Sequence, residues 1–289
     1  MSESDWLAQR FQENRGHLRA VAYRMLGSSS EADDAVQEAW LRLNRSGAAD
    51  IDNLVGWLTT VVARVCLDML RARERREALL GARVPEPQTT GNAPTNPEQE
   101  ALLANSVGIA LLVVLERLTP AERLAFVLHD IFAVSFEEIA AIVGRTPTAA
   151  RQLASRARRR VQGTGAHHNS NLAEQREVVD AFLDALRRGD FEGLLAVLDP
   201  DVVVRVDQSG TYNEIRGARN WAKDAVTRSR IARFAQSALV DGVIGAVFAP
   251  RGRLFSVLRF AIAGAKIVHV EVIVNPARFR ELDLAVLKD

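Results

Sequence analysis

Cysteine is nearly absent from this chain. Cys66 is the only one among 289 residues, so no disulfide can form within the sequence, which suits a reducing compartment. Lysine is almost as scarce, at 3 against 34 arginines. Any phosphate contact therefore falls mostly to guanidinium forks, which favour bidentate geometry. Long apolar runs are missing as well. The stretch Gly108–Leu115 is far shorter than the ~20 residues needed to cross a bilayer, so no membrane partner is expected. The opening MSESDWLAQRFQENRG lacks the basic-then-apolar order of a signal peptide, and a cytoplasmic location is expected. An excess of one charge is also lacking: the formal net charge is +1, so whatever is basic here is basic by local placement. What remains, 48% hydrophobic and 25% charged residues, has the composition of a soluble globular protein long enough for two or three domains.

Two stretches have the composition of linkers. Residues 81–99, GARVPEPQTTGNAPTNPEQ, hold four of the nine prolines and almost nothing apolar, so they cannot bury a core. Residues 162–171, QGTGAHHNSN, are short and polar. They imply a helical module over 1–80, a tether over 81–101, a second helical module over 102–162, a connector over 163–172, and a third domain over 173–289. In the first module, Ser30 before Glu31-Ala32-Asp33 reads as a helix start. Ala35, Val36, Ala39, Trp40 and Leu43 follow at three- and four-residue spacing. A longer helix, with Leu54, Trp57, Leu58, Val61, Val62, Val65 and Met69 on its apolar side, runs out into RARERRE. The third domain opens with helices near 174–188 and 191–198. It continues as strands (DVVVRV, ALVDGVIGAVFA, RLFSVLRFAIA, KIVHVEVIV), the pattern of an α+β fold with an antiparallel sheet.

The stretch VGRTPTAARQLASRARRRVQ, residues 143–162, places five arginines in one block of ten. Ser135 with Glu138 forms a capping box, so a helix starts at Phe136, and Gly144 is a natural stop. Thr146 then caps a second helix that has Pro147 at its first position. Helix, short turn with glycine, helix is the sequence form of a helix-turn-helix. In the second helix Ala150, Leu153, Ala154, Ala157 and Val161 share one side. Thr148, Gln152, Ser155 and Arg159 lie opposite, flanked by Arg151, Arg158 and Arg156. In this motif the second helix enters the major groove, where Arg and Gln pair with base edges and hydroxyls and outlying arginines take phosphates. Arg145 in the turn joins the candidate DNA-contacting set.

EADDAVQEAWLRL (31–43), NLVGWLTTVVARVCLDMLRARERRE (53–77) and LERLTPAERLAFVLHDIFAVSFEEIAAIVGRTPTAARQLASRARRRV (115–161) together resemble the bacterial sigma-70 family. The resemblance is to its small extracytoplasmic-function group, which keeps only regions 2 and 4, and it covers residues 5–162. It implies two partners, core RNA polymerase and promoter DNA. The helix around Asp33–Leu43 would dock on the β′ clamp helices through Asp34, Gln37, Glu38 and Leu41. The helix around Leu54–Arg76 would face the minus-ten element, with Asn53 at the base-capturing loop and Arg64, Arg71, Arg73, Arg75 and Arg76 as a track for the single strand. Trp57 has two readings, an aromatic wall for a base or a core residue. Region 4 would read the minus-thirty-five element, and apolar residues around Leu112–Leu118 would contact the β flap.

The third domain is similar to SnoaL-like domains, cones of helices wrapped by a curved antiparallel sheet. The resemblance rests on EVVDAFLDALRRGDFEGLLAVLDPDVVVRVD (177–207) and on the Asn275-Pro276-Ala277-Arg278-Phe279 motif, of which Asn275, Pro276 and Phe279 are the regulatory candidates. The family's Asp-Gly-Gly-Gly-Lys-like turn is replaced here by Asp207-Gln208-Ser209-Gly210-Thr211. Free-standing members include polyketide cyclases, which makes Asp207, Trp221, Arg259 and His269 candidate pocket residues. No second carboxylate or histidine stands at a spacing that argues for an acid–base pair, so no enzyme, cofactor or metal is expected. A regulatory domain, with room for a further regulator or small-molecule ligand, is the leading reading. The alternatives are a DNA-tethered SnoaL-like enzyme and a helix-turn-helix regulator that acts without polymerase.

Overall fold

The structure is a computed structural model that describes residues 3–46, 51, 53–80, 108–163, 172–208, 211–227, 229–250 and 253–287. The tether expected over 81–101 lies outside those residues, as do 164–171 of the connector. The chain forms two compact units, Met1–Pro97 with Leu115–Arg158, and Glu98–Val114 with Arg159–Asp289. Among the described residues no helix is long and apolar enough to cross a membrane.

In the first unit, α1 (Glu3–Leu26), α2 (Ser29–Ser46) and α3 (Leu54–Leu80) pack on one another. Apolar residues at helical spacing make the shared core: Leu18, Val21, Ala22 and Met25 from α1, Ala35, Val36, Ala39 and Leu43 from α2, and Leu58, Val62, Val65 and Leu67 from α3. The α2 cap is Ser28 rather than Ser30, because the Ser28 hydroxyl accepts from the Glu31 amide at 3.4 Å. After α4 (Ile109–Glu116) come α5 (Pro120–Phe126), a π-helical turn (Val127–Ile131), α6 (Phe136–Val143) and α7 (Pro147–Gln162). Within this unit α3 meets both α5 and α6.

The second unit contains α8 (Leu172–Arg188), α9 (Phe191–Val197), β1 (Leu198–Gln208), β2 (Thr211–Arg216), α10 (Ala218–Thr227), α11 (Ser229–Ala232), β3 (Ala235–Val240), β4 (Val243–Phe248), β5 (Ser256–Ala263), β6 (Lys266–Ile273), α12 (Pro276–Phe279) and β7 (Leu284–Ala285). The strands form one sheet in the order β2-β1-β6-β5-β4-β3-β7. The sheet is mixed rather than wholly antiparallel, since β1 runs parallel to β6 while the other pairs are antiparallel. Asp241 and Gly242, both at positive φ, close the β3–β4 hairpin as a two-residue turn. One sheet face, through Val202, Val204, Ala246, Leu258, Phe260 and Val270, packs with Val179, Phe182, Leu183 and Leu186 of α8 and with Trp221 of α10. Phe182 stacks on Trp221 at 5.3 Å and meets Phe260 edge-on at 5.5 Å.

Candidate nucleic-acid interface

The helix-turn-helix is built by its caps. Ser135 Oγ accepts from the Glu138 amide at 3.3 Å, and the Ser135 amide and hydroxyl donate to the Glu138 carboxylate at 3.2 and 2.6 Å. Gly144 leaves α6 in the left-handed region at φ 69°, where a Cβ would be strained. Thr146 Oγ1 accepts from the Ala149 amide at 3.2 Å and starts α7. Ala150, Leu153, Ala154, Ala157 and Val161 are buried, whereas Thr148, Gln152, Ser155, Arg156 and Arg159 are exposed, as is Arg145 in the turn. The two remaining arginines are engaged. Arg151 pairs with Glu137 at 3.3 Å and lies over the Phe136 ring at 5.4 Å, and Arg158 pairs with Asp130. The surface is an open, cationic helix face with hydroxyl and amide groups near its start, able to meet phosphates and base edges together.

On α3 the expected track divides. Trp57, Arg64, Arg71 and Arg75 recur at seven- and four-residue spacing and so share one side. The three arginines are exposed and Trp57 is half-buried. Arg76 is exposed beside them. Arg73 points elsewhere, to Glu31 of α2 at 2.5 Å. Asn53 is exposed and caps α3, its Oδ1 accepting from the Gly56 amide at 3.0 Å. On α2, Asp34, Gln37 and Leu41 are exposed along one side. Glu38 beside them pairs with Arg42 at 2.9 Å. Leu41, 40% exposed, is an apolar side chain on an otherwise polar face. Leu112, Val113, Val114, Leu115 and Leu118, the residues expected at the β flap, are buried.

The four candidate pocket residues do not come together. Trp221 belongs to the core, while β1, β5 and β6 place Asp207, Arg259 and His269 on the other sheet face. His269 is half-buried there. Asp207 is 1% exposed and accepts from Arg278 Nη1 at 2.9 Å. The same nitrogen donates to Glu271 at 3.1 Å, and Glu271 accepts from Arg259 at 3.3 Å. These carboxylates hold the Arg278 pKa above its ordinary value, the Asp207 bond most of all. Asn275 Oδ1 accepts from the Ala277 amide at 3.0 Å and caps α12 with Pro276 at its start. Phe279 is half-buried. The motif's arginine thus reaches the start of the substituted turn, whose Ser209 and Gly210 lie outside the described residues. Among the described residues no group of three or more His, Cys, Asp or Glu could hold a metal ion.

Several residues carry contacts that the sequence alone does not single out. Gln236 of β3 accepts from the Ala110 amide at 2.9 Å, so the first turn of α4 is held by the sheet-bearing unit. At the other end of region 4, the Val286 amide donates to Val161 O at 3.0 Å, and a Cβ on Gly163 would meet the Ala285 methyl at 2.7 Å. Arg123 of α5 is 5% exposed and donates to Met25 O at 2.9 Å; burial pushes its guanidinium down to about 10. Only the position of Arg123 one residue before Leu124 in α5 hinted at its place near the core.

Two family models match the chain: Sigma-70 region 2 over residues 10–76, and Sigma-70, region 4 over residues 109–161. The ECF RNA polymerase sigma factor SigJ of Mycobacterium tuberculosis is 41% identical over 249 residues, covering 82% of this chain and 79% of the relative. The probable ECF RNA polymerase sigma factor SigI of the same organism is 35% identical over 287 residues, 96% of both. A crystal structure of Mycobacterium tuberculosis SigJ aligns over 96% of this chain and 98% of its own, at 34% identity and a TM-score of 0.44.

Proposed function

The chain belongs to the extracytoplasmic-function sigma factors of the sigma-70 family, and on that premise we propose how its residues divide the work. It directs bacterial RNA polymerase to specific promoters and starts transcription there. In the proposed division, region 2 occupies 1–80 and region 4 occupies 102–162, joined by the tether over 81–101. Residues 173–289 form the regulatory domain, joined through 163–172. The α7 face takes the minus-thirty-five element, with Arg151 and Gln152 toward bases and Thr148, Ser155, Arg156, Arg158 and Arg159 toward phosphates; Arg145 reaches the backbone from the turn. The α3 face, from Asn53 and Trp57 to Arg75 and Arg76, takes the minus-ten single strand. Asp34, Gln37, Glu38 and Leu41 dock on polymerase. The protein works in the cytoplasm, where polymerase and promoter DNA are.

The observation that carries this reading is the segregation of α7: small apolar residues buried on one side, and the Thr148–Gln152–Ser155–Arg159 face open on the other. The C-terminal domain regulates rather than catalyses. Its best acid–base candidate, Asp207, is buried in an ion pair with Arg278, and Trp221 of α10 lies on the opposite side of the sheet from Arg259 and His269.

In vitro transcription with core polymerase tests both parts, comparing the full chain with a version ending at Gln162. We expect promoter-specific transcripts from both, at different levels. Equal activity would sink the regulatory assignment. Tight, salt-sensitive DNA binding with no transcription would favour a regulator that acts without polymerase.

A further inference from the structure

Two carboxylates stand behind two of the arginines on α7. Glu137, in the first turn of α6, accepts from Arg151 Nη2, and Asp130, in the π-helical turn, accepts from Arg158 Nε. Arg151 and Arg158 are seven residues apart, so they share one side of α7, about 10 Å from each other along the axis. The first pair ties the start of α7 to α6. The second reaches back past α6 to the segment before it.

That segment has an unusual backbone. The turn Val127–Ile131 closes through the Phe132 amide on Val127 O at 3.3 Å, a wider winding than an α-helix, which redirects the side chains that follow α5. Asp130 emerges from it against Arg158. His129 fixes the turn from within: its Nδ1 lies 3.0 Å from Val134 O, and its ring stacks on Phe136 at 3.8 Å. Ala133 takes the left-handed region at φ 55°, which is unfavourable for any residue with a Cβ. A partly exposed ion pair stabilises a fold only weakly, by less than a left-handed alanine destabilises it. Stability alone therefore does not account for a strained turn that presents Asp130 to Arg158.

The pair has a direction. The Asp130 side chain is 21% exposed and that of Arg158 39%, so the carboxylate lies on the inner side and the guanidinium on the outer. Asp130 occupies the Nε edge, which leaves the Nη groups of the fork for a second acceptor. A phosphate oxygen is such an acceptor, and the bonds it would accept are charge-assisted. A guanidinium fixed beforehand loses less rotamer freedom on meeting it.

We propose that Asp130 is a positioning residue for promoter binding: it holds Arg158 by the Nε edge and so presents the Nη groups to a phosphate of the minus-thirty-five element. The inference rests on the sigma-factor reading and on the assignment of Arg158 to phosphate.

The test titrates promoter DNA against the full chain in complex with core polymerase. Asp130→Ala should weaken binding about three- to tenfold, the loss expected when one more side chain must be ordered on binding. Asp130→Asn keeps the acceptor and should bind within about twofold of the parent. Because Asp130 acts through Arg158, adding Asp130→Ala to Arg158→Ala should weaken binding no further. In the free chain, the Arg158 Nε–H should exchange with water more slowly than that of the exposed Arg159, and Asp130→Ala should abolish the difference. Should Asp130→Ala fail to fold, Asp130→Ser, too short to reach the guanidinium, takes its place. A folded variant that binds as tightly as the parent, or more tightly, overturns the proposal. So does an equal loss with Arg158 present and absent, the mark of a merely structural role, and so does an Arg158 Nε–H that exchanges as fast as that of Arg159. A parent complex without promoter preference would strike the sigma-factor reading and this proposal with it, and that result is distinct because it precedes any variant.

Discussion

Arg151 is held before any DNA arrives. The Glu137 carboxylate and the Phe136 ring hold its guanidinium near the start of α7, so in the proposed base-reading role it would lose less rotamer freedom on binding. Arg159, exposed further along α7, is the residue assigned above to the DNA backbone. Arg151→Ala should therefore cost about 1–3 kcal/mol of discrimination at one position of the upstream element and leave mismatched promoters nearly untouched. Arg159→Ala should weaken all promoters alike and flatten the salt dependence by about one unit of log–log slope. Binding titrations of the polymerase complex against a panel of point-substituted promoters separate the two, and the same uniform loss from both would erase the division. In the C-terminal domain the decisive residue is Arg278. Removing it leaves Asp207, 1% exposed, without its main cation. Arg278→Ala should lower stability by about 2 kcal/mol, and adding Asp207→Asn should recover part of that loss by removing the stranded charge. Melting curves of the single and double variants check this; additive losses would mean the pair does not act as a unit.

Helices carry their own punctuation, which is why α6 and α7 were legible from sequence. Ser135 with Glu138, Gly144, Thr146 and Pro147 each act within one turn of where they stand. The same local chemistry misplaced the α2 cap by two residues, since Ser28, Ser29 and Ser30 are chemically alike and only the geometry selects Ser28. β2 went unread because Thr211–Arg216, TYNEIR, is a polar edge strand with no apolar alternation. The parallel pairing of β1 with β6 brings together segments with four strands between them in the chain, which no local pattern encodes. On α3 the run RARERRE reads as one basic track, yet helical geometry turns Arg73 away from Arg71 and Arg75 and onto Glu31. Arg71→Ala and Arg75→Ala should therefore slow promoter opening with little change in melting temperature. Arg73→Ala should do the reverse, with a stability loss of under about 1 kcal/mol because the pair is partly exposed. Permanganate footprinting of the opened strand, run beside thermal melts, checks the division. A loss of opening from Arg73→Ala equal to that from Arg75→Ala would return all the arginines to a single track.

At the scale of the whole molecule, composition separated three pieces, but contacts regroup them. Residues 98–114 and the end of α7 belong with the sheet-bearing unit, and the rest of region 4 belongs with region 2. Nothing in Gly108–Leu115 announces this, because an apolar helix can bury any side. The partner is Gln236, a polar strand residue far along the chain whose carbonyl happens to reach the Ala110 amide. That bond has a functional cost if region 4 must move to meet the β flap: the amides of a helix's first turn have no partner within the helix, and the C-terminal domain satisfies one of them, Ala110. Gln236→Ala leaves a gap too small to unfold the strand, since Gln236 is half-buried on β3 beside the buried Ala235 and Ala238. We expect faster hydrogen exchange at Ala110, an unchanged sheet, and more transcript from the full chain. A chain ending at Gln162, which lacks the partner altogether, should already exchange fast at Ala110. If Gln236→Ala speeds exchange but leaves transcription at the parent level, the C-terminal domain does not act through α4, and its influence must run through the Val286–Val161 contact at the other end of region 4.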